Sequence, residues 1–178
     1  MITRKKHFIA RFRRFDDEVL LFINANVKNA FFDRIMPPIS YMGNNGAIWL
    51  MAAVPLLINI QHRRFGIRLI VALAIASTLG NFVIKPIIGR LRPFESMLEL
   101  ITISKIPLDF SFPSGHTCAA FAAAVVMSRM GLWYGVFWFF FAFVMAFSRM
   151  YLFLHYPSDV FGGIILGIIS GISALIVY

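Results

Sequence analysis

Apolar runs of nearly membrane-spanning length occupy most of this 178-residue chain, at 44–61, about 67–88, 117–127, 132–154 and 160–178. They constrain the fold more than any other feature. In hydrocarbon each backbone N–H and C=O must be satisfied within its own segment, and a helix of ~20 residues does this across ~30 Å. The third run is short by itself and reaches spanning length when taken as Ser114 to Met130. With 60% hydrophobic residues and a mean hydropathy of +0.79, no room is left for a separate soluble domain. The expectation is an all-α fold: one polytopic membrane helix bundle over residues 1–178, with its core at 44–178.

Charge orients the bundle. Basic residues in short loops mark the cytoplasmic face, which places His62, Arg63, Arg64 and Arg68 inside, together with the Ser128-Arg129-Met130-Gly131 turn. Alternation then puts residues 89–113 and the turn at Leu154–Pro157 outside. The basic tail, residues 1–15, carries Arg4, Lys5, Lys6, Arg11, Arg13 and Arg14. No basic patch with interleaved stacking platforms follows it, as nucleic-acid binding would require, so it reads as a cytoplasmic tail held by its charge. Nor does an apolar core with a small-residue cleavage site follow it, as in a signal peptide. Five crossings would leave this tail outside. A sixth is therefore expected in residues 16–42, as a short interfacial helix near 17–27 and a tilted segment near 30–42 interrupted at Pro37-Pro38. The total is about six transmembrane helices. Cys118 is the only cysteine, which excludes an internal disulfide. Gly163, Gly167 and Gly171 recur every fourth residue, a stripe suited to close helix packing within the monomer.

Polar residues break the apolar pattern on the expected outer face. Lys85 stands one turn before a helix end, and Arg92 follows seven residues later. Pro113-Ser114-Gly115-His116 opens the third helix, whose first N–H groups and positive dipole end can receive an anion. Arg149 ends the fourth helix, His155 lies just beyond, and Asp159 falls in the first turn of the last. Ionisable groups beside lipid are costly and mark function. The bland alternatives are a snorkelling arginine, an interfacial histidine and an aspartate that caps a helix. Convergence of so many groups on one face argues against them. Three cations and a helix N-terminus make a cradle for phosphate. A histidine with a carboxylate four residues on suits a nucleophile or base, and a second histidine suits a proton donor. No carboxylate cluster suited to Mg²⁺ accompanies them. The chemistry read here is metal-independent phosphoryl transfer through a phosphohistidine, with no cofactor.

The lines Lys85-Pro-Ile-Ile-Gly-Arg-Leu-Arg92-Pro93, Pro113-Ser-Gly-His116 and Ser148-Arg149-Met-Tyr-Leu-Phe-Leu-His155-Tyr-Pro-Ser-Asp159 resemble the three signature motifs of the type-2 phosphatidic acid phosphatase superfamily. The resemblance spans about residues 44–178. It implies His155 as nucleophile, Asp159 as its partner and His116 as acid to the leaving group, with Lys85, Arg92, Ser114, Gly115 and Arg149 binding phosphate. Arg90 falls at a variable motif position and is left out.

An outward site at headgroup depth implies a partner held in the bilayer, a lipid phosphate or diphosphate. By resemblance to compact bacterial members of the family, undecaprenyl diphosphate comes first. Phosphatidylglycerol phosphate, phosphatidic acid and lipid A are the alternatives. Residues 94–112 are expected to roof the site. Two rival readings remain: a vanadate-binding haloperoxidase, whose relatives are soluble, and a non-catalytic anionic-lipid binding or transport protein, which has no use for the His155–Asp159 pair.

Overall fold

A computed structural model of the chain describes residues 13–93 and 109–178. Among the described residues there are helices and no strand. In chain order these are α1 (13–27, ending in a wide turn at Ile23–Val27), α2 (Ala30–Met42), α3 (Ala47–Ile58), α4 (Arg63–Ile88), α5 (Gly115–Ser128), α6 (Leu132–Tyr151) and α7 (Pro157–Val177). By length and composition α4, α6 and α7 can each cross a bilayer. The pair α2–α3 passes the same test only as a span bent by 56°, and α5 is a shorter apolar helix. Phe137, Phe140 and Phe143 on α6 and Ile165, Ile169 and Ile176 on α7 are exposed, as a lipid-facing flank requires.

The short α5 is the centre of the bundle, packed by α4, α6 and α7. Its run of small residues, Ala120, Ala122, Ala123 and Ala124, is fully buried and lets neighbouring backbones come close. The glycine stripe of α7 meets it inside the monomer, as its spacing suggests. A Cβ added at Gly163 would stand 2.7 Å from the Ser114 carbonyl oxygen, and one at Gly167 would stand 2.5 Å from that of Cys118. Only glycine permits this approach. It also registers the first turn of α5 against that of α7, where Ser114 N–H donates to Asp159 O at 3.0 Å. Packing thus sets two polar sequence lines side by side.

The N-terminal third departs from expectation. Asp16 accepts hydrogen bonds from Ser158 in the first turn of α7, and Asn29 N–H donates to the Tyr151 hydroxyl at the end of α6. Ser40 bonds Arg149, and Asn44 meets His116 at the start of α5. Residues 16–44 are therefore fastened at four points to one end of the bundle. No helix there passes the test for a span by itself, since α2 passes only together with α3, and Arg13 and Arg14 flank Asp16 on the side of the polar residues. Nor does the chain break at Pro37-Pro38. Helix α2 runs through both prolines, which remove only the bonds their missing N–H groups would give to residues 33 and 34. On a helix at the bundle end those carbonyls can be hydrated. The bend comes instead at 43–46, where Asn45 and Gly46 take left-handed φ of 53° and 71°.

This topology puts Glu18 and Gln61 on opposite faces. Both are exposed. In a Cys118→Ala background, Glu18→Cys and Gln61→Cys should react with an impermeant thiol reagent from opposite sides of the membrane. Labelling of both from one side would mean that residues 16–44 do cross.

Candidate active site

Lys85, Arg92, Gly115, His116, Arg149 and His155 line one cavity of about 1090 Å³ at this end of the bundle. Ser114 and Asp159 lie directly behind its wall, both fully buried. The structure therefore gathers every residue singled out from the motifs into one neighbourhood. Local chemistry explains each placement. Ile88 ends α4 before Gly89, which turns the chain at φ 59°. Lys85 sits on that last turn after a stretch, Thr78–Ile84, wound with wider turns. Beyond α6, Phe153 takes φ 55°. This tight turn folds Leu154 and His155 N–H back onto the Arg149 carbonyl, at 3.0 and 3.2 Å, and the His155 ring is aimed over the helix end.

Hydrogen bonding settles the His155 tautomer. Arginine can only donate, and Arg92 Nη1 lies 3.1 Å from His155 Nε2. Nε2 is therefore the bare nitrogen, and its lone pair faces the cations. The proton sits on Nδ1, which faces Asp159 Oδ2 at 3.7 Å and Ser111 Oγ at 3.4 Å. Ser111 donates its own proton to Asp159 Oδ2 and so bridges the pair. Burial first, then the charges of Arg92, Arg149 and Lys85, hold this imidazole well below the ordinary histidine range, with Asp109 acting in the opposite sense. The ring is neutral and nucleophilic at physiological pH. Asp159 also accepts Tyr156 N–H at 2.8 Å, so it caps α7 as well as facing His155. The bland and the functional readings of Asp159 are both true.

His116 Nε2 stands 2.9 Å from Asn44 Oδ1. An amide oxygen only accepts, so here Nε2 carries the proton. Arg149 is 3% exposed and donates to Ser40 Oγ, yet its Nε has no hydrogen-bond partner. Such an orphan costs on the order of 1–3 kcal/mol and marks where an acceptor is wanted. Ser114 Oγ accepts from Thr117 Oγ1 at 2.9 Å, so its side chain serves the helix start while α5's leading N–H groups face the cavity. No group of three or more His, Cys, Asp or Glu suited to a metal ion occurs among the described residues.

Residues 65–178 match the PAP2 superfamily, the type-2 phosphatidic acid phosphatases. The chain belongs to this superfamily. PAP2 relatives include an undecaprenyl-diphosphatase of Sulfolobus acidocaldarius, 32% identical over 86% of this chain and 73% of that protein. A lipid A 4'-phosphatase of Bacteroides thetaiotaomicron is 31% identical over 88% of this chain and 73% of its own length. Among solved structures, Aquifex aeolicus LpxE superposes with a TM-score of 0.72 at 28% identity, covering 90% of this chain and 94% of that one. A phosphatidylglycerolphosphate phosphatase of Bacillus subtilis shares the fold, with a TM-score of 0.68 at 21% identity over 89% and 82% of the two chains. The protein is a multi-pass membrane hydrolase of the lipid phosphatase kind.

The motifs did not reveal several residues of this PAP2 site. Ser111, Asn44 and Ser40 are ordinary polar residues with no local signal. Arg90 donates to Asp159 from a distant part of the chain and to Asp16 from another. The roof expected over residues 94–112 can be followed only at its end, because 94–108 lie outside the described residues. There Asp109 pairs with Lys85 and, at 2.6 Å, with Arg92 Nη2, so it occupies the ground a phosphate would take. Half-burial raises its pKa, but the hydrogen bond from Lys85 and the charge of Arg92 outweigh this and hold it at about 2. Asp109 is thus anionic across the working pH range and competes with any incoming anion. Asp109→Asn removes the competitor and keeps its shape. Orthophosphate should bind this variant about tenfold more tightly, as read by titration or product inhibition. Unchanged or weaker binding would show that Asp109 does not have to yield.

Proposed function

We propose that this protein removes a phosphate from a lipid phosphate or diphosphate, undecaprenyl diphosphate before others, through a phosphohistidine on His155. One observation carries the reading: the bare Nε2 of a neutral His155 faces a cluster of buried cations while Nδ1–H faces a buried carboxylate. The headgroup phosphate displaces Asp109 and is held by Lys85, Arg92, Arg149 and the N–H groups opening α5 at Gly115, with Ser114 fixing that turn. His155 Nε2 attacks phosphorus, and the bond from phosphorus to the leaving oxygen breaks. His116, protonated to the imidazolium when the phosphate anion is bound, donates one proton to that oxygen and is left neutral. Water then attacks the phosphorus of the phosphohistidine as His116 takes a proton from it, the P–N bond breaks, and orthophosphate leaves as His155 regains its lone pair. Asp159 and the bound anion stabilise the positive charge that the imidazole carries between the two steps. The chain's own cations neutralise the phosphoryl charge that a metal ion would otherwise balance.

The lipid tail has a place beside the head. The cavity continues from the cations along Leu50, Ile70, Leu73 and Ala74 between α3 and α4, and Leu50 and Ile70 are exposed at its flank. A polyprenyl or acyl chain can stay in the bilayer as its phosphate enters. The undecaprenyl preference is supported by the diphosphatase relative, and lipid A is the alternative that the Bacteroides relative supports.

Five crossings, with α3 and α5 added to the three long helices, are proposed, and the site is proposed to face outward. Arg63, Arg64, Arg68 and Arg129 make no ion pair among the described residues and are read as marking the cytoplasmic loops. Arg13 and Arg14, on the site side, weigh against this, and the Glu18 and Gln61 labels decide which face is which.

Phosphate release from undecaprenyl diphosphate, phosphatidylglycerol phosphate, phosphatidic acid and lipid A in detergent with EDTA tests the reading. The wild type should release phosphate fastest from undecaprenyl diphosphate. His155→Ala should lose more than about a hundredfold of the rate on every substrate. Activity that vanishes in EDTA and returns with Mg²⁺, or that survives in His155→Ala, would refute it.

A further inference from the structure

The carboxylate facing His155 is itself held by a second layer of charge. Arg90 Nη1 donates to Asp159 Oδ1 at 2.7 Å and to Ser158 Oγ at 2.6 Å. Arg90 Nη2 donates to Asp16 Oδ2 at 2.7 Å, and the Tyr156 ring lies under the guanidinium with its centroid 4.0 Å away. Asp16 in turn accepts Ser158 N–H at 2.9 Å and the Ser158 hydroxyl at 2.6 Å. Every oxygen of both carboxylates is used.

The burial of Asp16 needs a reason. It is 1% exposed, although Arg13, Arg14, Phe15 and Glu18 around it on α1 are exposed. Taking a carboxylate out of water costs several kcal/mol unless it is paired and hydrogen-bonded. A helix that needed only an anchor at the bundle end could use an apolar side chain, as Leu20 and Ile23 do on the same helix. Asp16 also lies outside the region 65–178 that matches the superfamily.

We infer that Asp16 and Arg90 are positioning residues of the reaction, Asp16 fixing the guanidinium of Arg90 and Arg90 holding Asp159 charged and oriented toward His155. The inference rests on the phosphohistidine reading above. A guanidinium is a rigid planar fork. With Nη2 pinned by Asp16, Nη1 can reach only Oδ1 of Asp159 and Ser158. Oδ2 is left to Tyr156 N–H, Ser111 and the Nδ1 side of His155. The same pinning keeps a further cation out of the phosphate cradle, which Arg90 does not line. The helix α1 that carries no signature motif therefore supports the nucleophile.

The test uses the full-length protein in detergent, with kcat and KM measured on undecaprenyl diphosphate for Asp16→Asn, Arg90→Gln, Arg90→Lys and the Asp16→Asn/Arg90→Gln double variant. Arg90→Gln should lose roughly thirtyfold or more in kcat and Asp16→Asn roughly fivefold, with KM within about twofold because the cradle is untouched. Arg90→Lys should recover part of the loss. The double variant should be no slower than Arg90→Gln alone, since Asp16 acts through Arg90. A rise in KM at constant kcat, or fully additive losses, would overturn the inference. A second readout does not need turnover: ¹⁵N NMR of histidine-labelled protein should show His155 protonated at Nδ1 in the wild type and a mixed tautomer in Arg90→Gln. An unchanged tautomer overturns the inference even if the wild type hydrolyses no lipid phosphate, an outcome that would by itself sink only the phosphohistidine reading.

Discussion

Cations buried at the end of an apolar bundle stay charged only where anions face them, and the site end of this protein is arranged around that requirement. Arg90 is matched permanently, by Asp16 and Asp159, both buried. Lys85 and Arg92 are matched by Asp109, which is half exposed and sits at the mouth. Arg149 keeps a nitrogen without a partner. The two kinds of pairing divide the labour. In the proposed mechanism the closed pairing fixes the geometry of the Asp159–His155 pair, and the exchangeable pairing keeps the phosphate cradle charged between turnovers.

That arrangement depends on how closely two helices approach. The small residues of α5 and the glycines of α7 set the helix N-termini side by side, so His116 at the start of α5 and His155 share one cavity, with Asp159 behind its wall. Three elements cross this end of the bundle and hold it: α1 through Asp16, α2 through Ser40, and the 43–46 bend through Asn44. In the proposed mechanism the exchange is local, one carboxylate for one phosphate.

Much of this was legible in the sequence, and the reason is local. Lys85 to Arg92, Ser114 to His116 and Arg149 to Asp159 each lie at a helix end marked by Gly or Pro, so spacing and hydropathy place them together at one face. The stripe Gly163, Gly167, Gly171 announces its own packing. What the sequence did not disclose is long-range or ambiguous in sign. Asp16 looks like one more charge in a polar, basic segment, and only tertiary contact with Ser158 and Arg90 shows that it is buried. Arg90 and Arg92 are alternate positions of one motif, and nothing local says which faces phosphate and which faces Asp159. Counting charges on loops asks for a crossing of its own in residues 16–42, and the long-range contacts of Asp16, Asn29 and Ser40 with the site end could not be read from those charges. Pro37-Pro38 looked like a break since helix interiors disfavour proline, and an interfacial helix relaxes that penalty.

The account's central claim is a covalent bond between phosphorus and His155 Nε2. It is tested most directly by acid-free denaturing quench of the protein during turnover of undecaprenyl diphosphate carrying ³²P at the terminal phosphate, followed by peptide mapping. The account predicts a labelled peptide containing His155, stable in alkali and labile in acid, and no label in His155→Ala. Turnover at full rate with no labelled protein at any time, or with label on a residue other than His155, would contradict it.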